Sequence, residues 1–165
     1  MDFREPVRED LEAINILLEA SFSRIYAWFA KKSFSNLQNS IIAEVEGGRI
    51  IAAINYRILE QDSTKIGYLY YLAVQDEYRR RGIGRELGLR AISSIEKEYG
   101  PLDIFAAVEK KNTPSREMLK SLGFKPLSRA GIKKKFGAGQ PAIKREMNLM
   151  PWEDLFVLTP PLAGN

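Results

Sequence analysis

Tyr68-Leu-Tyr-Tyr-Leu-Ala-Val-Gln-Asp-Glu-Tyr-Arg-Arg-Arg-Gly-Ile-Gly-Arg85 decides how the rest of the chain is read. Its aromatic and β-branched beginning, Tyr68 to Val74, predicts a strand. A polar segment, Gln75 to Arg81, follows. Ile83, Leu87, Ala91 and Ile95 then recur every four residues, so a helix begins where Gly82 and Gly84 stand. The free N–H groups of a helix's first turn point outward, and its dipole favours negative charge there. Glycine admits a ligand close to the main chain. Arg79, Arg80, Arg81 and Arg85 add charge and planar donors suited to phosphate. The residues of this stretch predict an anion site for a phosphorylated ligand.

Arg79-Arg80-Arg81-Gly82-Ile83-Gly84 also resembles the R/Q-x-x-G-x-G/A signature of the GCN5-related N-acetyltransferase (GNAT) superfamily. The context strengthens a short pattern: an apolar strand ending Leu72-Ala73-Val74 precedes it and an amphipathic helix follows. Downstream, Asn112-Thr113-Pro114-Ser115 and Leu122-Gly123-Phe124 resemble the family's N-x-x-A/S…L-G-F segment at the expected spacing. The resemblance extends from Met1 to about Leu149, although its specific motifs occupy only Leu72 to Arg85 and Asn112 to Phe124. A Rossmann reading fails because Leu87 stands where G-x-G-x-x-G needs its third glycine, and no G-K-S/T exists for a P-loop.

Composition bounds the chemistry. The chain suits one ordinary domain with a core, 45% apolar and 28% charged, and no apolar run approaches a membrane span of roughly 18 residues. Met1-Asp-Phe-Arg-Glu-Pro6 lacks a basic start and an apolar signal core, so a cytoplasmic location is expected. There is no cysteine and no histidine. Cys–His and Ser–His–Asp machinery is therefore excluded, as are an acyl-cysteine route and any His- or Cys-based zinc site; no metal is expected. A general base must be a carboxylate, a tyrosine, a lysine or water. The formal charge of +4 eases approach of a polyanion without announcing a nucleic-acid protein, since the basic residues crowd no single predicted helix.

In order, the chain predicts a strand at Met1 to Arg4, a turn at Pro6 to Asp10, a helix through Leu11, Ile14, Leu17 and Leu18, and a second helix around Ser23 to Lys32. Phe22, Tyr26, Trp28 and Phe29 read first as core; the resemblance makes this region a wall of the acceptor pocket. Strands at Ile41 to Glu46, Arg49 to Leu59 and Ile66 to Val74 form a meander through turns at Gly47-Gly48 and Gln61-Asp62-Ser63. The helix from Ile83 to Tyr99 stops at Gly100-Pro101, and Ile104 to Val108 completes a parallel β-α-β unit. Thr113 reads as an N-cap and Gly123 as a left-handed helix end with Phe124 folding back. Strands are expected from Lys125 to Ser128 and Ala142 to Leu149, with a basic, glycine-bearing loop from Ala130 to Gln140. Lys133, Lys134 and Lys135 read as a solvated loop in preference to contacts with a ribose phosphate, an acidic substrate or nucleic acid. The fold expectation is an α/β (α+β) GNAT-like mixed, mostly antiparallel twisted sheet of six to seven strands with about four helices and a splayed central parallel pair. Residues 1–150 form one acyl-CoA-binding domain, and Pro151 to Asn165 is an extension that covers a sheet edge or meets a second subunit.

The resemblance implies acetyl-CoA as co-substrate. It places pantetheine against main-chain groups of Leu72, Ala73 and Val74, and pyrophosphate on backbone N–H groups of Arg79, Arg80, Arg81, Gly82, Ile83, Gly84 and Arg85. It puts Asn112 and Ser115 beside the cofactor. The implied chemistry is direct attack of an amine on the thioester, with a backbone N–H near Leu72 to Val74 facing the oxyanion. Glu109 and Tyr70 are the candidates for the proton, with Tyr68 as a further relay and Glu44, Glu46, Glu60 and Asp62 open through water. Leu119 stands where many members carry a tyrosine that protonates the departing thiolate. The acceptor is an amine-bearing small molecule, peptide or protein, with a homodimer possible and no membrane partner. The alternatives are a non-catalytic acyl-CoA-binding regulatory module on the same fold, and a nucleic-acid-binding protein.

Overall fold

In the computed structural model, which describes residues 1–161, Asp2–Arg4 (β1), Ser40–Val45 (β2), Arg49–Gln61 (β3), Thr64–Val74 (β4), Ile104–Glu109 (β5), Lys125–Leu127 (β6) and Glu153–Leu158 (β7) make one mixed sheet. Its strand order is β1-β2-β3-β4-β5-β7-β6. Six α-helices accompany it: Leu11–Ser21 (α1), Arg24–Phe34 (α2), Ile83–Tyr99 (α3), Thr113–Ser121 (α4), Arg129–Phe136 (α5) and Gln140–Glu146 (α6). The described residues divide into two compact units, residues 1–56 with 69–94, and residues 57–68 with 95 onward. No helix among them is long and apolar enough to cross a membrane.

In the first unit the apolar spacing of α1 and α2 does what helical periodicity requires. Ile14, Leu17 and Leu18 of α1 and Ala30 and Phe34 of α2 bury against Ile42, Ile50, Ala53, Tyr71 and Ala73 of the strands. Full burial of side chains such as Leu18 and Phe34 contributes roughly 2 kcal/mol each. Phe22, Tyr26 and Phe29 pack half-buried on this cluster, whereas Trp28 stands exposed under Lys32. The Gly47-Gly48 hairpin forms as a three-residue loop, with both glycines at positive φ and Gly48 N–H donating to Val45 C=O at 3.1 Å.

β1 is pinned by charge. Arg4 donates two hydrogen bonds to the Asp10 carboxylate, at 2.6 and 3.1 Å, and two to Glu44, at 2.6 and 3.0 Å. Val7 N–H adds a bond to Asp10 at 2.7 Å. The Arg4 hydrogen bonds, with the Val7 bond behind them, hold the Asp10 carboxyl below its usual range, while the two carboxylates push the Arg4 guanidinium up. A depressed folded pKa stabilises above the unfolded value near 4 and ceases to do so as pH falls through the folded value. Asp10→Asn is therefore expected to cost about 2 kcal/mol at neutral pH and to flatten the loss of stability below about pH 4, measured by urea denaturation across pH.

In the second unit the parallel β4–β5 arrangement starts at Gly67, whose N–H donates to Asp103 C=O at 2.9 Å. A Cβ here would lie 3.1 Å from both Ile104 and Ile95, so glycine is what lets the start of β4 approach β5 and the end of α3. α4 ends as expected: Gly123 has φ +94°, its N–H donates to Lys120 C=O, and Phe124 N–H reaches back to Leu119 C=O, the paired bonds of a Schellman motif. Its start shifts by one residue. Asn112, not Thr113, is the N-cap, its side-chain oxygen accepting from Ser115 N–H at 3.2 Å.

The larger departures lie beyond residue 127. The basic stretch read as a loop is α5, capped by the Ser128 hydroxyl accepting from Gly131 N–H at 3.0 Å. Ala142 to Leu149, expected as a strand, is mostly α6: Ile143 and Met147 fall four residues apart and both are buried. Of the segment read as an edge cover or subunit contact, residues 162–165 lie outside the described residues, and Glu153–Leu158 is β7. It pairs antiparallel with β5 on one side (Phe105↔Val157, Val108↔Asp154) and β6 on the other (Pro126↔Phe156), with Leu155 and Phe156 buried.

Candidate functional site

The last residues of β4 alternate between two faces. Tyr71 and Ala73 join the core cluster beneath α1 and α2. Leu72 and Val74 face the start of α3, where a Cβ on Gly84 would lie 3.3 Å from Leu72 Cδ2 and 3.7 Å from Val74 Cγ2. Gly84 thus lets the helix begin hard against the strand. Gly82 has a different task. Its φ is +79°, open space surrounds the position of its absent Cβ, and the need for glycine there is conformational.

Between strand and helix the chain is braced by its own side chains. Gln75 is tied to β3 through N–H to Ile51 C=O at 2.8 Å and Nε2 to Ile50 C=O at 3.2 Å. Arg79 donates Nε to Val74 C=O at 3.1 Å and pairs with Asp76 at 2.9 Å. The Tyr78 ring receives both Arg49 and Arg81, whose guanidinium carbons sit 5.3 and 5.2 Å from its centroid. Arg49 also pairs with Glu77 at 2.9 Å and donates to the Tyr78 hydroxyl. Arg79 and Arg81 therefore shape the turn, while Arg80 and Arg85 are exposed beside it, without an ion pair among the described residues. Arg80 adopts φ +58°, uncommon for a side-chain-bearing residue.

Glu86 N–H makes the first helical rung with Gly82 C=O at 2.9 Å. The N–H groups of Ile83, Gly84 and Arg85 precede that rung. The N–H groups of a first helical turn, a helix dipole, a left-handed glycine and exposed Arg80 and Arg85 can together hold a phosphate-bearing ligand. Arg49 was not legible as part of this arrangement, because it lies 28 and 29 residues from Glu77 and Tyr78 in sequence.

The other residues singled out from the sequence lie as follows. Tyr70, in the first unit, is half-buried with its ring 5.7 Å from that of Tyr71. In the second unit Tyr68 is buried, and Glu109 is exposed at the end of β5 opposite Glu153. Glu109 C=O accepts from Asn112 N–H at 2.9 Å, which leads the chain into the Asn112 cap of α4. Ser115 is half-buried in the first turn, and Leu119 is 4% exposed, a core residue where a tyrosine hydroxyl would have been expected. Glu44 is engaged by Arg4, and Glu46, Glu60 and Asp62 are exposed at or near hairpin turns.

The family model for the acetyltransferase (GNAT) family matches residues 6–124. An N-alpha-acetyltransferase of Sulfurisphaera tokodaii is 33% identical over 91 residues, which cover 51% of this chain and 54% of that protein; the match spans about half of each. Among solved structures, a chain of the NatC complex bound to Gag peptide and CoA superposes with a TM-score of 0.69 at 20% identity, covering 98% of each chain. The PaiA N-acetyltransferase of Thermoplasma acidophilum in complex with coenzyme A gives 0.68 at 15% identity, covering 96% of this chain and 98% of that one. Those two likenesses show a shared fold. With a family match across nearly three-quarters of its length, and a strand–glycine turn–helix within that match, the chain belongs to the acetyltransferase (GNAT) family.

Proposed function

We propose that the chain transfers an acetyl group from acetyl-CoA to a primary amine by direct attack in a ternary complex. The observation that carries this reading is the anion cradle at the end of β4, where Gly82 turns left-handed and Gly84 seats α3 against Leu72 and Val74. Backbone donors from Arg80 to Arg85 receive the pyrophosphate, the Arg79 N–H being already given to Asp76 C=O at 3.2 Å, and main-chain groups of Leu72, Ala73 and Val74 receive the pantetheine arm. The family resemblance assigns Asn112 and Ser115 to the same cofactor. The amine nitrogen bonds to the acetyl carbon, the carbonyl becomes an oxyanion facing a backbone N–H of Leu72 to Val74, and its collapse breaks the carbon–sulfur bond. Glu109 takes the proton the amine sheds, or Tyr70 relays it to water as its own hydroxyl proton moves on. With leucine at position 119, CoA departs as a thiolate without a side-chain acid there.

The S. tokodaii relative's name favours an α-amino group at a peptide N-terminus as the acceptor. A second reading, a regulatory module that binds acyl-CoA without turnover, draws on the buried Leu119. Thiol release from acetyl-CoA separates the two. The chain has no cysteine, so a thiol-reactive dye sees only the product. Release with N-terminal peptides, and none with amine-blocked ones, is the expected result. Coenzyme A binding with silence across peptides, polyamines and small amines would favour the module, and no binding at all would sink both readings.

A further inference from the structure

Residues 125–145 carry Lys125, Arg129, Lys133, Lys134, Lys135, Lys144 and Arg145 and not one carboxylate. Removing these seven from the chain's 25 Lys and Arg leaves 18 against 21 Asp and Glu, so the whole positive excess resides in this segment. It lies entirely beyond the family match, which ends at Phe124. With Ala142 to Leu149 read as a strand, these cations had no common surface. The structure places Lys125 on β6 and the other six on two neighbouring helices, α5 and α6, that follow one another through a short 3-10 turn at Gly137–Gly139.

We propose that α5 and α6 form a cationic docking surface for the phosphodiester backbone of a nucleic-acid duplex. Each helix turns its apolar residues inward: Ile132, Ile143 and Met147 are buried, and the Phe136 ring lies 5.3 Å from that of Phe105. Lys125, Arg129, Lys133, Lys134 and Arg145 are exposed. Within the segment only Lys135 makes an ion pair among the described residues, with Asp103 at 2.5 Å. A favourable helix dipole accounts for a cation or two in each last turn, not for 21 residues without a carboxylate. The segment contributes no large exposed apolar side chain, so it lacks the anchor an interfacial membrane helix inserts. It has no exposed aromatic platform on which unpaired bases would stack. A regular phosphate array read by charge alone matches what remains.

The test is fluorescence anisotropy of a short labelled RNA duplex titrated with the full chain at several salt concentrations. The expected result is a Kd on the order of 10 μM near 0.1 M salt, with log K falling against log salt at a slope of about −3. The triple variant Lys133→Gln, Lys134→Gln, Arg145→Gln, with melting temperature unchanged, is expected to bind at least about tenfold more weakly with a slope near zero. Its coenzyme A affinity is expected to equal that of the wild type. No saturation even at low salt, or an unchanged Kd in the variant, would overturn the proposal. Tighter binding to phosphatidylserine vesicles than to the duplex would transfer the surface to membranes. Displacement of the duplex by an equally charged oligoglutamate would transfer it to acidic proteins. A loss of coenzyme A affinity in the variant would assign the cations to the cofactor instead.

Discussion

Gly82→Val is expected to lower coenzyme A affinity by about 100-fold while costing only about 1–2 kcal/mol of stability. The separation of the two effects follows from the local geometry. Apart from its chain neighbours, no heavy atom lies within 4 Å of a Cβ at position 82, so the first carbon of a new side chain meets open space. What it cannot do comfortably is hold φ at +79°, where a β-branched residue is strained. The turn relieves that strain by rotating the peptides that aim the Ile83, Gly84 and Arg85 N–H groups. Each charge-assisted backbone bond to phosphate is worth about 1.5–3 kcal/mol, so losing one of them, or half the strength of two, gives the stated loss. Arg85→Gln removes one exposed charge and leaves those donors in place, with an expected loss of only a few-fold. Calorimetric titration of both variants with coenzyme A, beside thermal melts, measures the contrast. Equal effects would mean that side-chain charge, rather than the backbone, holds the ligand.

Asn55→Leu is expected to remove about 3 kcal/mol of stability and roughly 10 °C of melting temperature. Asn55 is 1% exposed on β3, opposite Ser40 of β2. Its amide nitrogen donates to Ser40 Oγ at 2.9 Å, Gln38 C=O at 3.2 Å and Asn39 C=O at 3.3 Å, and its oxygen accepts from the Ser33 hydroxyl of α2. One amide thus fastens the end of α2 and a connection in which Leu37 and Asn39 both take positive φ. Leucine has nearly the right volume but forfeits four bonds at about 0.5–1.5 kcal/mol each: the buried Ser33 hydroxyl loses its acceptor, while Asn39 C=O keeps the Tyr56 N–H and the Ser40 hydroxyl keeps Gln38 C=O. Ser33→Ala, which orphans a single acceptor, is expected to cost about 1 kcal/mol. Chemical denaturation of the two variants measures the difference, and hydrogen exchange in residues 35–40 would locate it.

The parts of the molecule that were legible in sequence are those where local rules agree with one another. From Tyr68 to Gly100, strand composition, glycine placement and a four-residue apolar repeat all favoured one arrangement, and that arrangement formed. Gly123 with Phe124 was legible for the same reason. The segment from residue 128 to 158 was not. Three consecutive lysines beside glycines mimic a loop, and only the Ser128 cap and buried Ile132 reveal α5. α6 did carry a signal, Ile143 and Met147 four residues apart, but Met147 and Leu149 also alternate as in a strand. Leu155-Phe156 reads as apolar cover until its partners are known, because strand pairing across some 50 residues leaves no local trace. At the site, the glycines were legible and the brace was not. Nothing near Arg49 announces that it will clamp Glu77 and Tyr78, nor that Arg79 and Arg81 will serve the turn before they serve a ligand.

The placement of β7 governs the order in which the second unit can assemble. Among the described residues β6 pairs with β7 alone, and β7 stands between it and β5. As the chain is synthesised, Lys125–Leu127 appears well before residues 153–158, and in the meantime one edge of Ile104–Glu109, with Phe105 and Val108, has no partner strand. The first unit has no such debt, since all of its residues precede position 95. The second unit closes late, by insertion of a strand between two that are waiting, and this slow, long-range step is where a nascent or truncated chain is most exposed to wrong edge pairing.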